Sequence, residues 1–144
     1  TAEILSGIVQ RIQPAAVIVI DALASRRLSR LGCTVQLSNT GISPGSGVGN
    51  TRSEISQTTL GVPVIAVGVP TVVDAATLAA DLLEGNGTEN EDRRQIFEPR
   101  GAQMIVTPRE IDLLIDRAAG LVSHSINCAL HPQLSPEDLL ALVS

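Results

Sequence analysis

Apolar residues in this chain fall into spaced stripes and unbroken runs, and the two patterns predict different elements. Ile4, Leu5, Ile8, Val9 and Ile12 recur at three- and four-residue intervals, predicting a helix over 2–12 that Pro14 stops. Val17-Ile18-Val19-Ile20 is continuous and β-branched, which predicts a strand buried on both faces, as in a parallel sheet. Asp21 closes that run. Residues 22–31 return to helical spacing, with a basic outer face and Gly32 as the C-cap. Thr34-Val35-Gln36-Leu37 alternates as a short strand. Val62 to Gly68 is a second buried run, with Pro63 near its start where a missing N–H is tolerated. Pro70-Thr71 then leads into a helix through Val73, Leu78 and Leu82, with Asp74 in its first turn. Thr107-Pro108-Arg109-Glu110 supplies the cap, proline and acid of a helix start, and a stripe from Ile111 to Leu130 carries that helix to Pro132. Ser135-Pro136-Glu137-Asp138 repeats the signal for a short closing helix.

Two polar stretches interrupt these elements. Ser38 to Asn50 holds Gly41, Gly45, Gly47, Gly49 and Pro44, which forbid regular structure, and a loop that long in a compact domain is usually functional. Residues 84–103 contain the most polar part of the chain and read as a surface excursion. The order of strands and helices argues an α/β fold with a parallel sheet, although only two of its strands are strong.

Composition narrows the function. At 144 residues and 44% hydrophobic, the chain can bury the core of one domain, and no apolar run approaches the roughly 20 residues that span a bilayer. Phe97 is the only aromatic residue, so stacking on nucleic-acid bases has no platform. A net charge of −5, with basic pairs only at Arg26-Arg27 and Arg93-Arg94, argues against nucleic-acid binding. Cys33 and Cys128 lack metal-type spacing and read as two free buried thiols in a reducing cytosol. No secretory signal is visible, and the start at Thr1 without Met fits a processed product or a piece of something longer.

Several candidate chemistries fail on detail. Gly45-Ser46-Gly47-Val48-Gly49 has no P-loop lysine, and its even spacing misses the dinucleotide pattern, leaving a substrate-facing loop or backbone anion nest. Asn39-Thr40-Gly41 lacks the acid of the Asp-Thr-Gly that pepsin-like proteases carry. His124 and His131 do not share a helix face, so they form no metal site and no cofactor is implied. Ser25 and Ser46 sit in no nucleophile elbow. Asp21 remains, either as a functional carboxylate at a strand end or as a helix cap. Hydrolysis by carboxylates needs two, one activating water and one protonating the carbonyl. Asp74 is either its partner or an acid at a helix start.

The blocks Val17–Ala24, Thr40–Asn50, Thr59–Ala75 and Met104–Asp112 closely resemble the spore germination protease family of endospore-forming bacteria. The resemblance implies an aspartic-type endopeptidase that degrades small acid-soluble spore proteins in the spore core, made as a zymogen and assembled as a tetramer. It implies a fold like that of hydrogenase-maturation proteases: a three-layer α/β sandwich whose mostly parallel, twisted sheet carries helices on both faces. It gives Asp21 the role of one catalytic aspartate and leaves the other in an earlier segment without counterpart here. This chain then reads as the C-terminal part of a single peptidase domain, inactive alone. Gly45, Ser46, Gly47, Gly49 and Asn50 would line the cleft and hold substrate, with Asp74 nearby. The chain departs from the family pattern at Asn39 and Ser43, where that loop commonly has an acid and an imidazole, and after Leu83, where it is shorter. An alternative from another class is a non-catalytic binding or assembly module whose open sheet edges pair with another chain.

Overall fold

The computed structural model describes residues 2–46, 52–83 and 104–143, which belong to two compact units, Thr1–Pro108 and Arg109–Ser144. The first unit begins with α1 (Ala2–Ile12), as its stripe predicts. The helix turns Val9 inward with Leu5 and Ala2 and ends at Gln13, whose φ of 50° is left-handed just before Pro14. Strand β1 (Val17–Ser25) follows, then a 3₁₀ turn at Leu28–Arg30, β2 (Gln36–Ser38), the single helical turn α2 (Gln57–Leu60), β3 (Val64–Asp74), α3 (Ala75–Leu82) and β4 (Ile105–Val106).

β3 is the centre of the sheet. β1 runs parallel to it from Val17↔Val64 onward, while β2 pairs antiparallel at Gln36↔Gly68 to Ser38↔Ala66, and β4 pairs antiparallel at Val73↔Val106 and Asp74↔Ile105. Val73 pairs with both Ser25 and Val106, so β4 lies on the β2 side of β3. The described sheet is therefore mixed, where the runs predict a mostly parallel one. The reason lies in residues 26–35, which hold only a 3₁₀ turn: without a crossover helix, the chain returns in the opposite direction.

At two places strand stands where the spacing predicts the start of a helix. Residues 22–25 continue β1, because Ala22, Leu23, Ala24 and Ser25 find partners on a β3 that also outlasts its predicted end. β3 continues through Pro70 to Asp74, so its helix starts only at Ala75. A bulge permits this: Leu23 pairs with Pro70 but Ala24 pairs with Val72, leaving Thr71 as an extra residue beside the proline that has no N–H to give. Gly32, with φ of 65°, donates its N–H to Pro70 O at 2.7 Å. Leu28 N–H donates to Asp81 Oδ2 at 2.5 Å and ties the 3₁₀ turn to α3.

One sheet face is covered. Val17, Val19 and Val64 pack with Val9, Ile42, Ile55 and Leu60, each fully buried aliphatic contributing about 1.5–3 kcal/mol. On the opposite face, Ile18, Ile65, Ile20 and Leu37 remain open, Ile20 at 58% and Leu37 at 73% exposure.

The second unit is a helical pair, α4 (Ile111–Leu130) and α5 (Pro136–Val143), with Val122 and Leu139 buried. α4 starts after Glu110 and not at the Thr107-Pro108 signal, since Ile105-Val106 just before that signal is held extended against β3. α5 starts where predicted. Ser135 Oγ accepts the Asp138 N–H (3.1 Å), and Asp138 Oδ2 accepts the Ser135 N–H (3.3 Å). Among the described residues, no helix is long and apolar enough to cross a membrane.

Candidate active site

Along the covered face of β1, alternate residues run Val17, Val19, Asp21, Leu23, so the row that builds the core turns polar at its third position. Asp21 sits in the middle of β1, not at its end, opposite Gly68. Beside it opens a cavity of about 310 Å³ lined by Asp21, Ala22, Leu23, Ala24, Arg26, Ser43, Gly45, Ser46, Thr71 and Val72. A side chain on Gly68 would overlap Leu23 Cδ1, so the bare backbone there lets Leu23 take its place in the cavity wall.

The glycine-rich loop reaches this wall because it is pinned. Ile42 and Ile55 exchange backbone hydrogen bonds (2.9 and 2.8 Å), and Ile42 joins the core cluster. Gly41 makes that approach possible: its φ is 99°, and an added Cβ would lie 2.5 Å from Ile55 O and 2.7 Å from Ser56 Cβ. Ser43-Pro44-Gly45-Ser46 then forms a tight turn. Ser46 N–H donates to Ser43 O (3.1 Å), and proline followed by glycine at φ 77° is the type II pattern. On the other side, the β3 bulge brings Thr71 to the cavity wall, buried at 7% exposure.

Asp21 Oδ1 accepts the N–H of Ala22 at 3.0 Å. Among the described residues lining the cavity, Asp21 is the only carboxylate and Arg26 the only cation. One carboxylate can take a proton from water, but it cannot also protonate the group the water attacks.

The other expected site residues divide. Gly45 and Ser46 line the cavity with Asp21. Gly47, Gly49 and Asn50 lie outside the described residues. Asp74 is not among the lining residues. It caps α3, with Oδ1 accepting the Thr77 N–H (2.7 Å) and Oδ2 accepting the Thr77 Oγ1 hydroxyl (2.6 Å). Asp74→Ala should therefore cost about 1 kcal/mol in urea unfolding followed by circular dichroism, with Asp74→Asn retaining most of it. Equal stability of the alanine variant and the parent would remove the cap. Cys33 is exposed, contrary to the expectation of a buried thiol, while Cys128 is half-buried and both are free. No group of three or more His, Cys, Asp or Glu that could hold a metal occurs among the described residues.

Ser43, Arg26 and Thr71 are wall residues that sequence patterning did not single out. Thr71 had a signal: a proline inside a β-branched run marks a bulge, and bulges gather beside active sites. Arg26 had none, because residues 22–31 carry a helical period.

Comparison with known proteins adds an independent line. A family model described as germination protease matches residues 1–85. A germination protease of Caldanaerobacter subterraneus subsp. tengcongensis is 48% identical, over 99% of this chain and 51% of its own length. One from Clostridium acetobutylicum is 43% identical over 96% of this chain and 50% of its own. One from Bacillus pumilus is 36% identical over 96% and 52%. The chain spans about half the length of these relatives.

Proposed function

This chain belongs to the germination protease family, and from that premise we propose that it carries one half of a two-carboxylate endopeptidase site, with Asp21 as its catalytic group. The observation that supports this most is the cavity beside Asp21, walled by a pinned turn and a strand bulge. In this mechanism Asp21 takes a proton from water as the water attacks a peptide carbonyl, and a second carboxylic acid protonates the carbonyl oxygen. Two such groups in one site share a single proton, because their like charges oppose each other. The second acid comes from the part of the relatives' length that has no counterpart in these residues. The same part completes the sheet into a three-layer sandwich like that of hydrogenase-maturation proteases. Backbone N–H groups of the Ser43–Ser46 turn, with Gly47, Gly49 and Asn50 after it, hold an extended substrate. Asp74 serves α3 in this reading. No cofactor takes part.

The substrates are small acid-soluble spore proteins, degraded in the spore core by a homotetramer made as a zymogen. A protein carrying this chain at the full length of its relatives should cut such a purified substrate into discrete fragments by mass spectrometry, and the 144-residue chain alone should cut none. Intact substrate after incubation with the full-length protein overturns the reading. A second reading, a non-catalytic assembly module, draws on the open face formed by Ile18, Ile20, Ile65 and Leu37. A monodisperse oligomer together with an inert full-length protein would favour it.

A further inference from the structure

Helix α4 holds a nucleophile and a base that the peptidase reading does not use. His124 and Cys128 stand one turn apart, and their Nε2 and Sγ atoms lie 3.6 Å from each other. The remaining ring nitrogen, Nδ1, is buried and has no hydrogen-bond partner among the described residues, so no other group there competes with the thiol for the ring. In the tautomer that carries its hydrogen on Nδ1, the Nε2 lone pair is the one that meets the thiol. Cys128 is half-buried, whereas Cys33, the other thiol, is exposed. A nucleophile within hydrogen-bond reach of a base is the arrangement that activates cysteines toward electrophiles.

We propose that Cys128 and His124 form a thiol-modification site that takes a low-molecular-weight disulfide. Sγ attacks one sulfur of the disulfide while His124 Nε2 receives the thiol proton. A new Sγ–S bond forms as the old S–S bond breaks, and the leaving thiolate takes the proton from the imidazolium. Cys128 ends as a mixed disulfide and the other half of the reagent as a free thiol, so the disulfide itself is the oxidant and nothing further is consumed. A reducing thiol reverses the step by the same route.

The test uses glutathione disulfide at pH 7 on the intact chain, with peptide mass spectrometry reading Cys128 and Cys33 separately. An ordinary thiol is only about 3% ionised at that pH, which leaves roughly 30-fold of rate for a base to recover. Cys128 should outpace Cys33 on the order of tenfold despite being the less exposed thiol, and the ratio should fall to near one in urea. His124→Gln should bring Cys128 below Cys33. The sign separates the two roles of the imidazole: loss of packing would expose Cys128 and speed its reaction, whereas loss of the base slows it. A native Cys128 slower than Cys33, or one that His124→Gln accelerates or leaves unchanged, overturns the proposal. A His124→Gln chain without helical circular dichroism moves the decision to the native-to-urea ratio of the parent chain.

Discussion

Asp21→Asn in the full-length protein should lower kcat by about 10⁴-fold while moving KM only a few-fold, as expected when a residue acts in the transition state and not in substrate binding. The substitution is nearly isosteric, and the new amide oxygen can still accept the Ala22 N–H that Asp21 Oδ1 accepts now. The strand pairing to Gly68 involves backbone alone. The thermal melt should therefore stay where it is, separating loss of chemistry from loss of fold. What the amide cannot do is take a proton from water. Turnover of a small acid-soluble spore protein within tenfold of the parent would exclude Asp21 from the mechanism and leave the cavity as a binding feature only.

The second large effect is on stability, at Gly41. Gly41→Ala places a methyl group 2.5 Å from Ile55 O and 2.7 Å from Ser56 Cβ, on a backbone whose φ of 99° disfavours any side chain. The close contacts cost about 1–3 kcal/mol and the left-handed backbone about 1–2 kcal/mol. Relief requires Ile42 and Ile55 to separate, and those two residues seat the loop on the core. A melting temperature lower by roughly 10 °C in circular dichroism is expected. Gly7→Ala gives the opposite control, since its methyl group meets nothing within 4 Å on an exposed face of α1 and should stabilise by about 0.5–1 kcal/mol. A Gly41→Ala chain as stable as the parent would mean that the bridge does not hold the loop.

Local chemistry made part of this molecule legible from residues alone. The stripe of α1 and the Ser135 capping box depend on neighbours in sequence, and both stand where they are read. Asp21, Gly45 and Ser46 share one cavity wall, although the strand run and the glycine-rich loop that carry them lie apart in sequence. Ala22 to Leu31 departs from its helical spacing for a physical reason. Its helical spacing is real, but β3 offers Ala22 through Ser25 a ladder of backbone partners, and tertiary pairing outweighs a propensity of a few tenths of a kcal/mol per residue. The sense of β2 was equally hidden, because strand direction depends on how the intervening turn travels and not on the strand's own residues. The pairing of His124 with Cys128 was open to view as an i, i+4 spacing. His124 shares its helix face with Cys128 and not with His131.

Thr71 gives the length of β3 a meaning that no side chain carries. Because one residue there has no opposite number on β1, the segment before it and the segment after it are half a pleat out of step. Shortening the strand by Thr71 alone would close the ladder with Val72 still opposite Ala24 and Val73 still opposite Ser25, so that the core side chains keep their faces while the local bend and the Thr71 side chain in the cavity wall are lost. The extra residue belongs to the cavity and not to the core, and the length of the strand is a property of the site.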